Sequence, residues 1–248
     1  MVLALAAAMS VAQAAQAGAA TMTLTGTIYD KRMADPDFED GISGVQTGLV
    51  SSTLNASGLP DYVGSGGNTV DGGHILSAAS FDAWWGDTHG AMPFTLTLNE
   101  VVPGLFLYSN DAFFPIDDAL GGNEGLPHNY HFTLHLEGVM SFTATDAFHF
   151  LGDDDLWVYI DGRLVMDLGG VHGTAGVTVT GADLLSLGLL EGNAYALDIF
   201  FAERHTTSSS FGIATSFQVT PAVPEPGILG LMGLGLIGRL ACRRARRI

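Results

Sequence analysis

Residues 148–162 read FHFLGDDDLWVYIDG. The apolar runs Phe148 to Leu151 and Leu156 to Ile160 have the length and composition of strands buried in a core. Asp161-Gly162 suits a two-residue hairpin turn with positive φ, and another β-rich run, Arg163 to Leu168, follows it. The hairpin so formed holds three consecutive carboxylates, Asp153, Asp154 and Asp155, at its open end. Like charges on adjacent residues repel, and each ionised carboxylate loses hydration where a loop meets a packed core. A hard divalent cation relieves both penalties, so the pattern predicts Ca²⁺ at Asp153, Asp154 and Asp155. A metal-free role fits the same residues, because adjacent acids at a strand junction also accept backbone N–H bonds.

Outward from this stretch the chain reads as strands. Thr21 to Tyr29, Phe94 to Leu98, His131 to Leu136, Met140 to Thr145, Ala147 to Leu151, Val177 to Thr180, Tyr195 to Phe201 and Phe211 to Val219 alternate or run apolar, with Gly, Asn, Asp or Pro between them. Only Ala182 to Leu190 has a helical pattern. About ten short strands imply an all-β antiparallel sandwich, a single domain with long loops. Leu49 to Gly90, rich in Gly, Ser, Asn and Asp, reads as a long excursion of that domain.

Charge and cysteine usage narrow the function. Across 248 residues there are 26 Asp+Glu against 9 Lys+Arg, and five of the nine (Arg239, Arg243, Arg244, Arg246, Arg247) crowd the last ten positions. A body this acidic repels phosphate backbones and excludes nucleic acid as a partner. The single cysteine, Cys242, lies in the C-terminal apolar stretch, so the body has no disulfide, no thiolate zinc site and no thiol nucleophile. A body of this length buries roughly 70% of its unfolded-chain surface, enough to be held by its core alone.

Both ends carry the marks of targeting segments. Residues 1–20 combine an Ala/Leu/Val run with several small-x-small sites and read as a secretory signal peptide. Residues 221–248 contain Val223-Pro224-Glu225-Pro226, an uncharged stretch Gly227 to Ile237, and the terminal Arg cluster. At about 1.5 Å per residue, a helix from Gly227 to Cys242 reaches roughly 24 Å, a little short of a bilayer core, with Arg239 snorkelling and the positive end inside.

Seven motifs then point to a family. Tyr29-Asp30, Asp35-Pro36-Asp37-Phe38-Glu39, Phe113-Phe114-Pro115-Ile116-Asp117, His128-Asn129-Tyr130-His131-Phe132-Thr133, the Gly152 to Gly162 run, Asp167-Leu168-Gly169-Gly170-Val171-His172 and Ala202-Glu203-Arg204-His205 occur in that order. Together they resemble the fibro-slime domain, over about Thr21 to Thr220. That domain resembles the protective-antigen-type β-sandwich of lectin-like adhesins and some glycosidases and toxins. In the lectin members two adjacent Asp joined by a cis peptide bind Ca²⁺, and the ion helps hold sugar hydroxyls. The resemblance places Asp153 and Asp154 at that pair. Asp155 stands where a glycine is usual, and either completes the ion's shell or fills the sugar's space. The C-terminal order of Pro-Glu-Pro, apolar run and Arg cluster resembles the PEP-CTERM sorting signal. That resemblance implies exosortase cleavage near Pro226, export with transient membrane anchoring, and association with exopolysaccharide or biofilm matrix.

Several further residues admit two roles. His172 and His205 fit a ligand pocket beside the Asp loop or hydrogen-bonded loop braces. Glu203 and Arg204 fit an internal ion pair, or Arg204 a ligand contact. Trp84 and Trp85 suit sugar stacking, Trp157 a core position, and Asp117 and Asp118 a second oxygen-rich site. No GxSxG, HExxH, phosphate-binding Gly loop or EF-hand spacing occurs, and the expectation is a non-enzyme. Two functions follow: a Ca²⁺-dependent carbohydrate-binding module that attaches cell-surface glycan or matrix polymer, or a structural matrix protein that calcium only stiffens. In either case Asp154→Ala is expected to remove calcium-linked stabilisation and leave the metal-free fold intact.

Overall fold

The computed structural model describes residues 20–222, so the predicted signal peptide and sorting segment fall almost wholly outside it. Among the described residues no helix is long and apolar enough to cross a membrane. Eleven strands form the fold: β1 (Thr21–Asp30), β2 (Ala91–Val102), β3 (Leu105–Asn110), β4 (Phe132–Ser141), β5 (Ala147–Asp153), β6 (Asp155–Ile160), β7 (Arg163–Leu168), β8 (Ala175–Thr180), β9 (Tyr195–Glu203), β10 (Ser210–Thr215) and β11 (Gln218–Pro221). Every pairing between them is antiparallel. The order is β7-β6-β9-β4-β1-β2-β3-β10-β5-β8, with β11 on β4 beyond the reach of β1. The sheet folds over so that its terminal strands β7 and β8 come together, enclosing the apolar core in the sandwich-like manner expected.

Alternation along β6 and β9 explains why the molecule has two cores. Leu156, Val158 and Ile160 of β6, with Leu197, Ile199 and Phe201 of β9, face the main core between the sheet halves. Trp157 and Tyr159, with Phe200 and Ala202, face outward into a second cluster. There they meet Phe38, Leu49, Val50, Tyr62, Ile75, Phe81, Trp84 and Trp85, contributed by the connection between β1 and β2. The long excursion is thus the lid of a second hydrophobic layer. Its short helix Ala78–Asp82 carries Phe81, whose ring lies 4.7 Å from that of Trp84 and 5.6 Å, edge on, from that of Trp157. The three tryptophans are buried walls of this layer, and the stacking role read for Trp84 and Trp85 is corrected accordingly.

The Asp161-Gly162 turn forms as expected, with φ of 53° and 68°. Its hairpin points β6 away from the acidic end, so Asp153 to Asp155 share one pole of the molecule with the ends of β1 and β9. The chain's described start, Ala20, whose carbonyl accepts from the Glu100 amide at 2.9 Å, lies at the other pole. The helix expected over Ala182 to Leu190 forms as Gly181–Ser186, capped by Thr180.

Because Trp157 closes the second layer at 0% exposure, Trp157→Ala is expected to lower the unfolding free energy by about 3–5 kcal/mol in urea denaturation. Val101→Ala, at a half-exposed hairpin position, should stay within about 0.5 kcal/mol of wild type in the same measurement.

Candidate functional site

At the acidic pole the end of β5, the start of β6 and the end of β9 converge with the loops 169–174 and 204–209. The Asp153-Asp154 peptide is cis, as the resemblance implies. One pocket opens here, with a volume of about 240 Å³; Asp153, Asp154, His172 and His205 line it together with Ile42, Val171, Gly173, Thr206, Thr207 and Ser208. Four of the six residues singled out from the sequence therefore come together.

The other two do not. Asp155 and Arg204 form a buried ion pair, with Nε donating to Oδ2 at 2.6 Å and both side chains fully buried. The second oxygen of Asp155 accepts from the Gly170 amide. The Arg204 guanidinium is used up by the carbonyls of Asp37 (2.8 Å), Gly73 (2.9 Å) and His74 (3.3 Å), and it lies 4.8 Å from the Trp84 ring centre. Asp155 thus neither completes an ion's shell nor fills the pocket, and Arg204 offers no contact to a ligand. The reason is the strand period: Arg204 and Asp155 continue the outward rows of Ala202 and Trp157, while Glu203 continues the inward row of Phe201. The ion pair read between Glu203 and Arg204 is corrected for the same reason.

Glu203 is the residue the sequence understated. It is fully buried, and neither side-chain oxygen makes a hydrogen bond of normal geometry, although the Ser209 hydroxyl and the His205 amide lie beside it. Its carboxylate converges with those of Asp153 and Asp154, one oxygen of each lying within 4.8 Å of the other two. The inward alternation Leu197, Ile199, Phe201, Glu203 was the available signal. Asp154 accepts from the amides of His172 (3.0 Å) and Arg204 (3.1 Å), and Asp153 from the Ser208 hydroxyl (3.1 Å). Burial raises the carboxyls of Asp154 and Glu203 well above their ordinary range; the charge of Asp155 adds to this at Asp154, and that of Asp154 at Glu203. Burial raises Asp153 as well. Three crowded and poorly solvated carboxylates form an all-oxygen donor set that either holds protons or takes a hard cation.

The two histidines brace loops as well as line the pocket. His172 donates from Nδ1 to the Gly173 carbonyl at 2.9 Å, and His205 from Nδ1 to that of Thr206 at 3.0 Å. Asp117 accepts from His128 (2.6 Å) and the Asn129 amide (2.7 Å), while Asp118 accepts from the Asn123 amide group (3.1 Å). Those two acids fasten their own loop.

The chain is similar to several known proteins. A PA14 domain model matches residues 117–223 and a PEP-CTERM protein-sorting motif matches residues 222–247. Protein psiQ of Dictyostelium discoideum is 37% identical over 229 residues, covering 84% of this chain and 22% of psiQ. Protein psiC of the same organism is 37% identical over 218 residues, covering 81% of this chain and 42% of psiC. The chain thus spans between about a fifth and two fifths of the length of these relatives. A PA14 sugar-binding domain from an RTX adhesin aligns at 11% identity and a TM-score of 0.36, over 81% of this chain and 95% of that one. The epithelial adhesin 9 A domain from Candida glabrata, in complex with Galβ1-4GlcNAc, aligns at 14% identity and a TM-score of 0.32, over 84% and 89%. The chain carries a PA14 domain of the fibro-slime kind, followed by a PEP-CTERM sorting motif.

Two outcomes follow from this electrostatic arrangement. With their carboxyls raised in the folded chain, Asp153, Asp154 and Glu203 bind more protons folded than unfolded, so unfolding free energy falls as pH rises. Their contribution is complete below about pH 4 and is lost as pH climbs through the raised values. In chelator the melting temperature should therefore drop as pH rises above about 4, and Glu203→Gln should flatten that profile; equal slopes in the two proteins would refute the assignment. Arg204→Met leaves Asp155 buried and unpaired and should cost about 3–5 kcal/mol in urea unfolding.

Proposed function

We propose that the protein is an exported, Ca²⁺-dependent carbohydrate-binding module of the adhesion type, acting at the cell surface or in the extracellular polysaccharide matrix, and not an enzyme. The observation that carries this reading is the convergence of the buried Glu203 with Asp153 and Asp154, two carboxylates that line a solvent-open pocket. The PA14 match supports it, and the sorting motif supports export and exosortase processing at the C-terminal end.

Asp153, Asp154 and Glu203 would hold the ion. Calcium takes six to eight oxygens at sites of this type, so three carboxylates leave positions for water or ligand hydroxyls. Asp154 keeps free lone pairs for this although it accepts two amide bonds, since a carboxylate offers about four. The pocket is small beside the roughly 300–1,000 Å³ of drug-sized ligand sites, which favours one terminal sugar ring over an extended oligosaccharide. Among its lining residues the only flat rings are the imidazoles of His172 and His205. Recognition therefore rests on the ion, on the hydroxyls of Thr206, Thr207 and Ser208, and on the apolar edge of Ile42 and Val171.

The expected Asp154→Ala test changes with the structure, because alanine would also orphan the His172 and Arg204 amides. Glu203→Gln is the cleaner variant. Calorimetry of the full chain should show a calcium-dependent rise in melting temperature that this variant loses. A glycan array should show binding in millimolar calcium that chelator abolishes. A calcium-dependent rise with no glycan bound identifies the structural matrix protein instead, and no calcium effect of either kind sinks both.

A further inference from the structure

A second group of metal-ligand side chains lies on the outer face of the sheet, away from the acidic pole. His135 and Glu137 are two apart on β4 and share a face; Asp198 of β9 pairs with Glu137, and Phe200 with His135. One ligand atom from each of His135, Glu137 and Asp198 lies within 4.8 Å of the other two. His135 Nε2 is 2.9 Å from Asp198 Oδ1. The imidazole stacks on Phe200, with ring centres 4.2 Å apart and planes 13° from parallel, so its plane is fixed before any ion arrives.

Charge makes this cluster expensive without a cation. Like charges directly opposite across an antiparallel pair destabilise it, and Glu137 faces Asp198 in this way. The strands on either side add Thr25 and Thr27 from β1 and Tyr159 and Trp157 from β6, none of them cationic. Among the described residues the Lys and Arg are Lys31, Arg32, Arg163 and Arg204. Lys31 donates to the carbonyls of Ala83 and Gly86, Arg32 pairs with Asp30, Arg163 donates to the Leu187 carbonyl, and Arg204 is held by Asp155. His135 is thus the one basic group that meets the two carboxylates.

We propose that His135, Glu137 and Asp198 form a Zn²⁺ site. An imidazole with two carboxylates suits this borderline ion better than calcium, which takes oxygen alone. Three ligands projecting from two neighbouring strands give a rigid triad. The Glu137 side is exposed and the other two residues are half-buried, which leaves the fourth tetrahedral position to water or to an outside ligand. Bound there, the ion ties β4 to β9 and cancels their cross-strand repulsion.

Isothermal titration of the full chain with zinc chloride, in excess calcium so that the acidic pocket is filled, tests the assignment. One equivalent should bind, and His135→Ala and Glu137→Gln should each weaken it by about tenfold or more. Cobalt(II) in place of zinc should give visible d–d absorption that His135→Ala removes. Glu137 is exposed, so Glu137→Gln should melt in chelator no lower than wild type, which separates lost ligation from lost fold. No zinc uptake, or uptake and cobalt bands that survive both substitutions, overturns the proposal.

Discussion

The buried pairing of Arg204 with Asp155 is the interaction on which the remaining architecture depends. A guanidinium is planar and always charged, with donors in a fixed fork, so it can answer a carboxylate and several carbonyls at once. Arg204 does so for four chain positions far apart in sequence: Asp155 at the head of β6, Asp37 just past β1, and Gly73 and His74 in the excursion. It thereby fastens the lid of the second core to the strands beneath it, with Trp84 stacked against the cation. An ammonium in its place would offer three rotatable donors and no planar face to the indole.

That pairing also decides which carboxylates remain unanswered. With Asp155 committed outward, Asp153, Asp154 and Glu203 are left on the inner side with backbone amides and one hydroxyl as their donors. A fourth carboxylate in the cluster would raise the cost of ionising all of them; its removal by Arg204 leaves three, a number that one dication and a few neutral donors can satisfy. The apparent triplet in the sequence is therefore divided by the strand period into a structural acid and two acids that line the pocket, and Glu203, buried behind them on another strand, completes the carboxylate cluster.

Much of this was legible in the sequence because one periodicity governs it. Runs with clear alternation, such as Thr21 to Tyr29, or continuous apolar character, such as Leu156 to Ile160, are strands where expected, and Asp161-Gly162 makes the turn that its residues favour. The misses have local causes. Leu105–Asn110 was passed over because Leu105 and Leu107 are solvent-facing apolar residues at a hairpin, so the buried-face signal reduces to Phe106. His131 to Leu136 and Met140 to Thr145 read as two strands because Gly138 looks like a break, yet it marks the place where Leu24 and Thr220 press close to β4. Phe211 to Val219 read as one strand, although Ser216 and Phe217 separate β10 from β11. At the site, Asp153, Asp154, His172 and His205, singled out from the sequence, line one pocket. Arg204 and Glu203 were misplaced because pairing adjacent opposite charges ignores that neighbours on a strand point to opposite faces.

A wider consequence concerns how so acidic a body is held together. Its few Lys and Arg are engaged, so carboxylates elsewhere turn to backbone amides and histidines. Asp37 gathers the Leu76 amide, the Ser80 hydroxyl and the Trp84 indole. Asp117 takes His128, and Glu39 and Glu124 share His131. These acids are answered by donors that geometry supplies, one histidine serving both Glu39 and Glu124. Among the described residues, the acidic pole and the β4–β9 face bring carboxylates together with too few donors for that solution. A neutral hydrogen bond offsets only part of a buried charge, whereas a dication offsets two at one point. The scarcity of basic side chains thus leaves these two clusters the least neutralised, and the two proposals assign a hard ion to the all-oxygen set and a borderline one to the set with nitrogen.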